Sequence, residues 1–273
     1  MFLHSDITIL IVTYVPNYEL LKKKIELYKE FKLMIIDASP DEHKIINKID
    51  LNKNIEVIKV DNNGQGFANN TGIKSAKTKY ILYVDLDANF EPDKILDIYK
   101  HAAKVQNWSI LIPNSNNKIL TKDIIQVDNC EASVFFVNRE IVIKNEMFDE
   151  KIFFYFEEYD YFFRLNKTNF KVYLLPNLYA SHNQGSSVDR SLVNDVSNVQ
   201  QWHYLWSMYY VYKKNTGMLN ALKIVIPLIV KDIIKLIYYL ITFRFKLARK
   251  RMYRLSGAIH SILGSQSFKR PNI

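Results

Sequence analysis

The chain has 273 residues, of which 48% are hydrophobic, and it carries a formal net charge of +9. The apolar fraction supports a packed core and excludes wholesale disorder, while the length allows one large domain or two small ones. The single cysteine, Cys130, excludes an intramolecular disulfide framework and a multi-cysteine metal site, which suits a reducing cytoplasm.

The positive charge is concentrated in the C-terminal part of the sequence. Residues 213–273 contain thirteen lysines and arginines and one acid, Asp232, for a net charge of +12. The first 212 residues contain 24 basic and 27 acidic residues, for a net charge of −3. Because the body of the chain is slightly acidic, we expect no nucleic-acid partner.

Short β-branched runs alternate with helix-like segments in the N-terminal part of the chain. The predicted strands and helices are, in order, Ile7–Tyr14, Tyr18–Phe31, Leu33–Ile36, about His43–Ile49, Ile55–Val60, Phe67–Ala76 and Tyr80–Val84. This alternation predicts an α/β fold with a mostly parallel, Rossmann-like sheet flanked by helices. Ligands bind at the carboxyl ends of such strands, where the sequence places Thr13, Asp37, Asn62, Asn63, Asp85 and Asp87.

Two glycines, Gly64 and Gly66, imitate a dinucleotide-binding fingerprint after the third strand. The third position of that fingerprint is Asn69, so a turn followed by a helix start is the favoured interpretation and an NAD site the minor one. The sequence has no GxxxxGK[ST] motif, which excludes P-loop chemistry.

An Asp-x-Asp motif directly follows the fourth predicted strand. Alternation along an extended segment places Asp85 and Asp87 on the same side, where the two carboxylates repel each other. A divalent cation offsets this repulsion, and oxygen ligands favour Mg²⁺ or Mn²⁺. His182, in a loop after a strand-like run and a turn at Pro176, is a candidate for completing the metal shell.

A second acidic cluster lies in the aromatic segment Phe153–Leu165. Apolar neighbours raise the pKa of a carboxyl group, which suits a general base, and we assign that role to Glu158. Asp160 and Arg164 are four residues apart on a predicted helix, so a structural ion pair is the favoured reading for both. Glu157 is expected to be secondary to Glu158.

The basic C-terminal part begins with an apolar stretch, Leu219–Phe243, that contains three lysines and Asp232. These charges and Pro227, which is expected to break the run, argue against a membrane-spanning helix. Apolar residues next to cations suit an amphipathic helix at an anionic membrane surface. Packing on the body of the chain, or a homodimer through the C-terminal helices, is the alternative.

The sequence contains, in this order, VTY (Val12–Tyr14), DASPD (Asp37–Asp41), GQGFANNTGI (Gly64–Ile73), YVDLDANFEP (Tyr83–Pro92), FDEKIFFYFEEYDYFFRL (Phe148–Leu165) and His182. These five segments and His182 together resemble an inverting glycosyltransferase of family 2, closest to the bacterial rhamnosyltransferase-like branch. The resemblance implies a GT-A fold with a catalytic domain over residues 1–212 and a basic helical extension over 213–273. Within the catalytic domain, residues 1–104 would bind the nucleotide sugar and residues 105–212 the acceptor.

The resemblance also implies a role for each matching residue. Those assigned to nucleotide-sugar binding are Thr13, Tyr14, Asp37, Asn70 and Asp85. Asp87, with Asp85 and His182, would hold Mn²⁺ or Mg²⁺. Glu158 would be the general base, at a position where the family usually has the aspartate of a Glu-Asp pair.

The implied activity is the inverting, metal-dependent transfer of one sugar to a glycan or lipid-linked acceptor in cell-surface polysaccharide synthesis. We expect the protein in the cytoplasm, at the inner face of the membrane, since the N-terminus lacks a secretory signal pattern. The processive QxxRW motif is missing, which favours single addition. The alternatives are a sugar nucleotidyltransferase and a non-catalytic GT-A-like binding protein.

Overall fold

The computed structural model describes residues 4–43, 53–115, 123–130, 132–183, 185, 187–189 and 191–271. The strands are β1 (Ile7–Thr13), β2 (Lys32–Asp37), β3 (Ile55–Lys59), β4 (Tyr80–Val84), β5 (Ala88–Asn89), β6 (Trp108–Asn114), β7 (Ile125–Val127), β8 (Val134–Asn138), β9 (Lys171–Tyr179) and β10 (Ser181–His182). The helices are α1 (Tyr18–Leu27), α2 (Gln65–Ser75), α3 (Pro92–Lys104), α4 (Arg139–Lys144), α5 (Glu157–Leu165), α6 (Val193–Thr216), α7 (Met218–Ile241) and α8 (Phe245–Ile262).

Eight of the described strands form one sheet in the order β3-β2-β1-β4-β8-β6-β9-β7, and β5 pairs with β10 in a separate ribbon. The first four strands of this order are parallel, as the sequence predicts. The second half is mixed, because β8 runs antiparallel to both β4 and β6 and β7 runs antiparallel to β9. The carboxyl ends of β1 to β4 therefore meet at one edge of the sheet.

Both faces of the sheet are covered, which explains why its strands are apolar on both sides. Ile9 and Ile11 of β1 pack on one face with Leu21 of α1, while Leu10 packs on the other face with Ile73 of α2. Side chains alternate along a strand, so a run such as ITILIVT supplies both layers at once. The apolar run was therefore a reliable indicator of a buried central strand.

The chain divides into two compact units. The first comprises Met1–Asn63, Phe67–Phe148 and Tyr161–Arg190, and it contains the sheet. The second comprises Gly64–Gly66, Asp149–Asp160 and Ser191–Ile273, and it contains the helices α6, α7 and α8.

The second unit has its own apolar core, in which the three long helices pack together. Leu205 and Tyr209 of α6, Val225 of α7 and Ala258 of α8 are all buried in this cluster. The expectation of a helical C-terminal extension is confirmed.

The expectation that Pro227 breaks the apolar stretch is wrong, since Pro227 lies inside α7. Proline removes one backbone hydrogen bond, to the carbonyl of the residue four positions earlier. That residue is Lys223, which is exposed, so water can satisfy its carbonyl and the helix continues. Among the residues that the structure describes, no helix combines the length and the apolar run that a membrane crossing requires.

The predicted turn at Pro176 is wrong, because Pro176 lies within β9, at an irregularity where the pairing with β6 jumps from Leu175 to Tyr179. Such an irregularity accommodates a residue that has no N–H for the ladder. Of the helix expected at about His43–Ile49, only His43 lies within the described residues, where it ends a 3₁₀ turn.

Candidate active site

The Asp-x-Asp motif leaves the sheet at the carboxyl end of β4. Asp85 donates its backbone N–H to the carbonyl of Ser133, 2.8 Å away, which prolongs the pairing of β4 with β8. Leu86 is buried in the core of the first unit, whereas the Asp85 side chain remains 33% exposed. Because Leu86 points into the core, the two aspartates that flank it share the opposite side.

His182 is brought to these aspartates by the β5–β10 ribbon. In this ribbon His182 pairs with Ala88, the residue that follows Asp87. The His182 Nε2 atom lies 3.1 Å from Asp87 Oδ1 and 3.9 Å from Asp85 Oδ2. The three side chains each offer a ligand atom within 4.8 Å of the other two, as a metal site requires.

The electrostatics of this cluster favour a cation. Partial burial of the Asp85 carboxyl group raises its pKa, and the charge of Asp87 raises it further, although a hydrogen bond from Tyr83 opposes both. The hydrogen bond to Asp87 raises the pKa of His182. The negative charges of the two carboxylates repel each other, and a bound cation would offset this repulsion. Together with the neighbouring imidazole, the two carboxylates form a donor set that fits Mn²⁺ or Mg²⁺.

A buried lysine of α1 is hydrogen-bonded to the β5–β10 ribbon. Lys24 of α1 is 4% exposed, and its ammonium group donates to the carbonyl of Ala88 and to Asn89 Oδ1, the latter at 3.1 Å. Burial lowers the pKa of Lys24 to about 8, while the charges of Glu91 and Asp87 oppose that shift. Lys24 thus fixes the two residues that follow Asp87 and that pair with His182.

Sequence reasoning missed Lys24, although a signal was present. Leu21, Lys24 and Tyr28 are spaced i, i+3, i+7, and all three are buried. A lysine in the apolar stripe of an amphipathic helix is rarely buried without a polar partner. That spacing would have identified Lys24 as a residue with a specific acceptor.

The ends of β1 and β2 carry a hydrogen-bonded polar group. Asp37 Oδ1 accepts from Thr13 Oγ1 at 3.2 Å and from both the backbone N–H and the hydroxyl of Ser39. The Ser39 hydroxyl oxygen also accepts from the backbone N–H of Val15. Thr13 and Asp37 are 2% and 1% exposed, so this network is part of the packed edge of the sheet.

Tyr14 and Asn70 were also expected to contact the nucleotide sugar. Tyr14 is half-buried and hydrogen-bonded to Asn62, and burial raises the pKa of its hydroxyl. Asn70 is buried in α2, where its amide pairs with the backbone of Phe148 through hydrogen bonds of 2.9 and 3.0 Å. The Asn70 amide therefore ties α2 to the segment that precedes α5.

The loop after β1 is joined to the segment that follows β10. Asn17 donates its backbone N–H to the carbonyl of Ser187, and Asp189 donates to the carbonyl of Val15, both at 2.9 Å. Val15 has a φ of 41°, a conformation that is strained for a β-branched residue. Such strain is concentrated at functional sites, and here it lies directly after Thr13 and Tyr14.

The second unit holds the first turn of α5 with the acids Glu157, Glu158 and Asp160. Glu157 is 4% exposed, whereas Glu158 is only partly buried. The two residues before them, Tyr155 and Phe156, both have positive φ values, of 66° and 68°. Non-glycine residues rarely adopt this conformation, so the entry to α5 is a strained segment fixed by aromatic packing.

The roles of Asp160 and Arg164 are defined by different contacts. Asp160 is fully buried and accepts from Lys214 Nζ and from Asn215 Nδ2, each at 2.9 Å. Arg164, in the first unit, donates to the backbone carbonyls of Asn145 and Met147. Both residues thus make structural contacts, and Asp160 has its cation on α6.

The sequence matches a family model described as glycosyl transferase family 2 over residues 11–150, just over half of the chain. The chain therefore belongs to glycosyl transferase family 2. A comparison with curated protein sequences gave no significant match.

Solved glycosyltransferase structures share the fold. GalNAc-T7 with UDP, GalNAc and Mn²⁺ aligns with a TM-score of 0.57 and 14% identity, over 75% of this chain and 51% of its own. The mannosyltransferase PcManGT from Pyrobaculum calidifontis, in complex with GDP-Man and Mn²⁺, aligns with a TM-score of 0.57 and 10% identity, over 94% and 87%. S. aureus TarS aligns with a TM-score of 0.50 and 16% identity, over 80% and 43%.

The chain thus spans about half the length of GalNAc-T7 and less than half of TarS. At these identities the likeness concerns the fold, and it confirms the expected GT-A architecture with a helical extension.

Proposed function

We propose that this chain transfers a single sugar from a nucleotide-sugar donor to a hydroxyl group of a glycan or lipid-linked acceptor, in the synthesis of a cell-surface polysaccharide. The observation that carries the proposal is the cluster of Asp85, Asp87 and His182 at the carboxyl end of β4 in a family 2 chain. We place the reaction in the cytoplasm, at the inner face of the membrane. The resemblance to the rhamnosyltransferase-like branch stays a prediction.

The donor would bind at the carboxyl edge of the parallel strands. Asp87, Asp85 and His182 would hold Mn²⁺ or Mg²⁺, which when bound supplies positive charge next to the diphosphate of the donor. Two solved neighbours, GalNAc-T7 and PcManGT, contain Mn²⁺ together with UDP and GDP-Man respectively, which supports the assignment. Tyr14 and the Thr13–Asp37 pair, at the ends of β1 and β2, are proposed to position the nucleoside.

Glu158 is the proposed general base. It would take the proton of the acceptor hydroxyl as the acceptor oxygen bonds to the anomeric carbon and the bond to the diphosphate oxygen breaks. A single displacement of this kind inverts the anomeric configuration and releases a nucleoside diphosphate. The assignment rests on the family motif and on exposure, since Glu158 is partly exposed and its neighbour Glu157 is buried.

The experiment is to incubate the protein with a panel of nucleotide sugars, Mn²⁺ and candidate acceptors, and to measure nucleoside diphosphate release. We expect release of the nucleoside diphosphate from one donor, whereas pyrophosphate release in a parallel incubation with a nucleoside triphosphate and a sugar 1-phosphate would indicate a nucleotidyltransferase. If neither release nor donor binding occurs with any nucleotide sugar, the proposed function is wrong and a binding role replaces it.

The base assignment is tested separately with Glu158→Gln. This change should lower transfer by about 10²- to 10⁴-fold and leave donor affinity within a few-fold, because it removes a proton acceptor and keeps the shape. Glu150→Gln, at an exposed acid of the second unit, is the matched control and should behave as the unmodified protein. Substantial residual transfer in Glu158→Gln would remove this residue from the base role.

A further inference from the structure

Helix α7 exposes large apolar side chains along one side of almost its whole length. We call this side the outer face of α7, and define it by seven side chains that are each at least 43% exposed: Leu219, Ile226, Val230, Ile233, Ile234, Ile237 and Ile241. At 3.6 residues per turn they fall within an arc of about 100° and extend over about 33 Å. An exposed apolar surface of this extent is typical of an interaction site.

The opposite side of the same helix is already packed. Ala221 and Val225 lie in the core of the second unit with residues of α6 and α8. A helix that is apolar on both sides is normally covered on both sides. The outer face of α7 is therefore a surface whose covering comes from outside the described chain.

Exposed cations occur on the same helix as this face and on the segment that follows it. Exposed lysines and arginines occur on α7 itself and on the turn and helix that follow it: Lys223, Lys231, Arg244, Lys246 and Arg249. Two apolar side chains of the α7–α8 junction, Phe243 and Phe245, are 77% and 61% exposed and extend the face. Apolar area and positive charge are thus presented together.

The one acid among residues 213–273 does not offset this charge. Asp232 is 2% exposed and points away from the outer face, into hydrogen bonds from Arg251 Nη1 at 2.9 Å and Arg254 Nε at 2.7 Å. Among the described residues of this region, the exposed side-chain charge is therefore entirely positive.

The positive charge of this region favours one kind of partner over another. A second copy of the chain would bring another region of charge +12 against the first, which like-charge repulsion opposes. An anionic bilayer accepts both features, since its acyl region takes the apolar side chains and its headgroups take the cations. Lys223, which lies on the apolar side near the start of α7, can extend its ammonium group to the headgroups.

We propose that the outer face of α7 binds the surface of an anionic lipid bilayer, with the helix parallel to the membrane and the cations of α7 and α8 on the headgroups. This binding needs neither donor nor metal, so it stands independently of the proposed transferase activity. Its consequence would be to hold the chain where lipid-linked acceptors are found.

The test is flotation of the full chain with vesicles of phosphatidylcholine alone, or containing about one third phosphatidylglycerol. We expect strong binding to the anionic vesicles, weak binding to the neutral ones, and loss of binding as salt is raised. Lys231→Gln with Lys246→Gln should weaken anionic binding by about 25-fold, from roughly fivefold for each charge removed. Ile234→Glu with Ile237→Glu should weaken it by at least about a hundredfold.

Ile143→Glu is the matched control, because Ile143 is an exposed isoleucine on α4 and this change should leave flotation unaltered. Circular dichroism melting checks that each variant folds, and Ile234→Ser with Ile237→Ser replaces the glutamate pair if it does not. Binding that is equal for neutral and anionic vesicles would overturn the proposal. So would a dimer seen by light scattering without lipid and abolished by Ile234→Glu with Ile237→Glu, since the face would then belong to a second copy.

Discussion

Replacing Lys24 by methionine is expected to separate metal binding from folding stability. The change removes an ammonium group that donates to the carbonyl of Ala88 and to Asn89 Oδ1. Hydrogen bonds from charged donors contribute about 1.5–3 kcal/mol each. Their loss frees the ribbon in which Ala88 pairs with His182, so the cluster of Asp87 and His182 becomes less ordered.

The expected effect is a 10- to 100-fold loss of Mn²⁺ affinity, or about 1.4–2.7 kcal/mol, which is typical when a residue that orients metal ligands is removed. The free energy of unfolding should change less, by under about 2 kcal/mol. Burial already lowers the pKa of Lys24 to about 8, so the charged form is disfavoured there and an apolar chain of similar length recovers part of that cost.

The assay is a titration of Mn²⁺ in the presence of a nucleotide sugar, followed by calorimetry, with thermal unfolding measured on the same samples. Lys23→Met is the matched control, because Lys23 is the adjacent lysine on α1 and is exposed. If Lys24→Met binds Mn²⁺ as tightly as the Lys23→Met control, Lys24 does not position the site. Equal losses of affinity and stability would mean that Lys24 is structural only.

Two further predictions concern the second unit. His203 is fully buried, with Nε2 donating to the Lys269 carbonyl, and burial lowers its pKa to about 4. Because the unfolded chain takes up this proton near pH 6.5, stability present above that pH should fall by about 3 kcal/mol as the pH drops towards 4. Denaturant unfolding at both pH values should show a smaller fall in His203→Gln, and an equal fall would contradict the assignment. Gly257→Ala would place a Cβ 2.0 Å from the Trp202 carbonyl oxygen, so it should lower the free energy of unfolding by about 2–3 kcal/mol despite the higher helix propensity of alanine. An unchanged or higher midpoint in denaturant would contradict this close approach of α6 and α8.

The strands at the site were predictable because their signal is local. The predicted strand Tyr80–Val84 coincides with β4, and this fixed the position of Asp85 and Asp87 at its carboxyl end. A buried parallel strand needs apolar residues on both faces, and few other elements have that short β-branched pattern. The meeting of Asp87 with His182, 95 positions later, was expected from chemistry and is confirmed by the ribbon that joins them.

The features that sequence reasoning missed depend on contacts between distant segments. The backbone carbonyl that accepts the hydrogen bond from Lys24 belongs to Ala88, 64 positions away, and no local sequence pattern predicts that contact. The expected break at Pro227 failed for a related reason, because the packing of α7 on its neighbours outweighs one missing hydrogen bond. The buried carboxylate of Asp160 meets Lys214 on α6, 54 positions away, which no local pattern indicates.

The outer face of α7 could be predicted from the sequence only in part. The sequence shows an apolar stretch with charges, and it predicts an amphipathic helix. Which residues are buried becomes clear only when Val225 and Asp232 are seen against α6 and α8. The remaining apolar side chains then form the outer face of α7, and the exposed charges of this region are positive.

The measurement that tests the central claim most directly is donor affinity with and without Mn²⁺ for the unmodified chain and for Asp87→Asn. The unmodified chain should bind its nucleotide sugar at least about tenfold more tightly with Mn²⁺. Asp87→Asn should lose that gain, because it removes one carboxylate from the cluster, while Asp93→Asn, at an exposed acid of α3, should keep it. Unchanged Mn²⁺-dependent affinity in Asp87→Asn would contradict the proposed metal site.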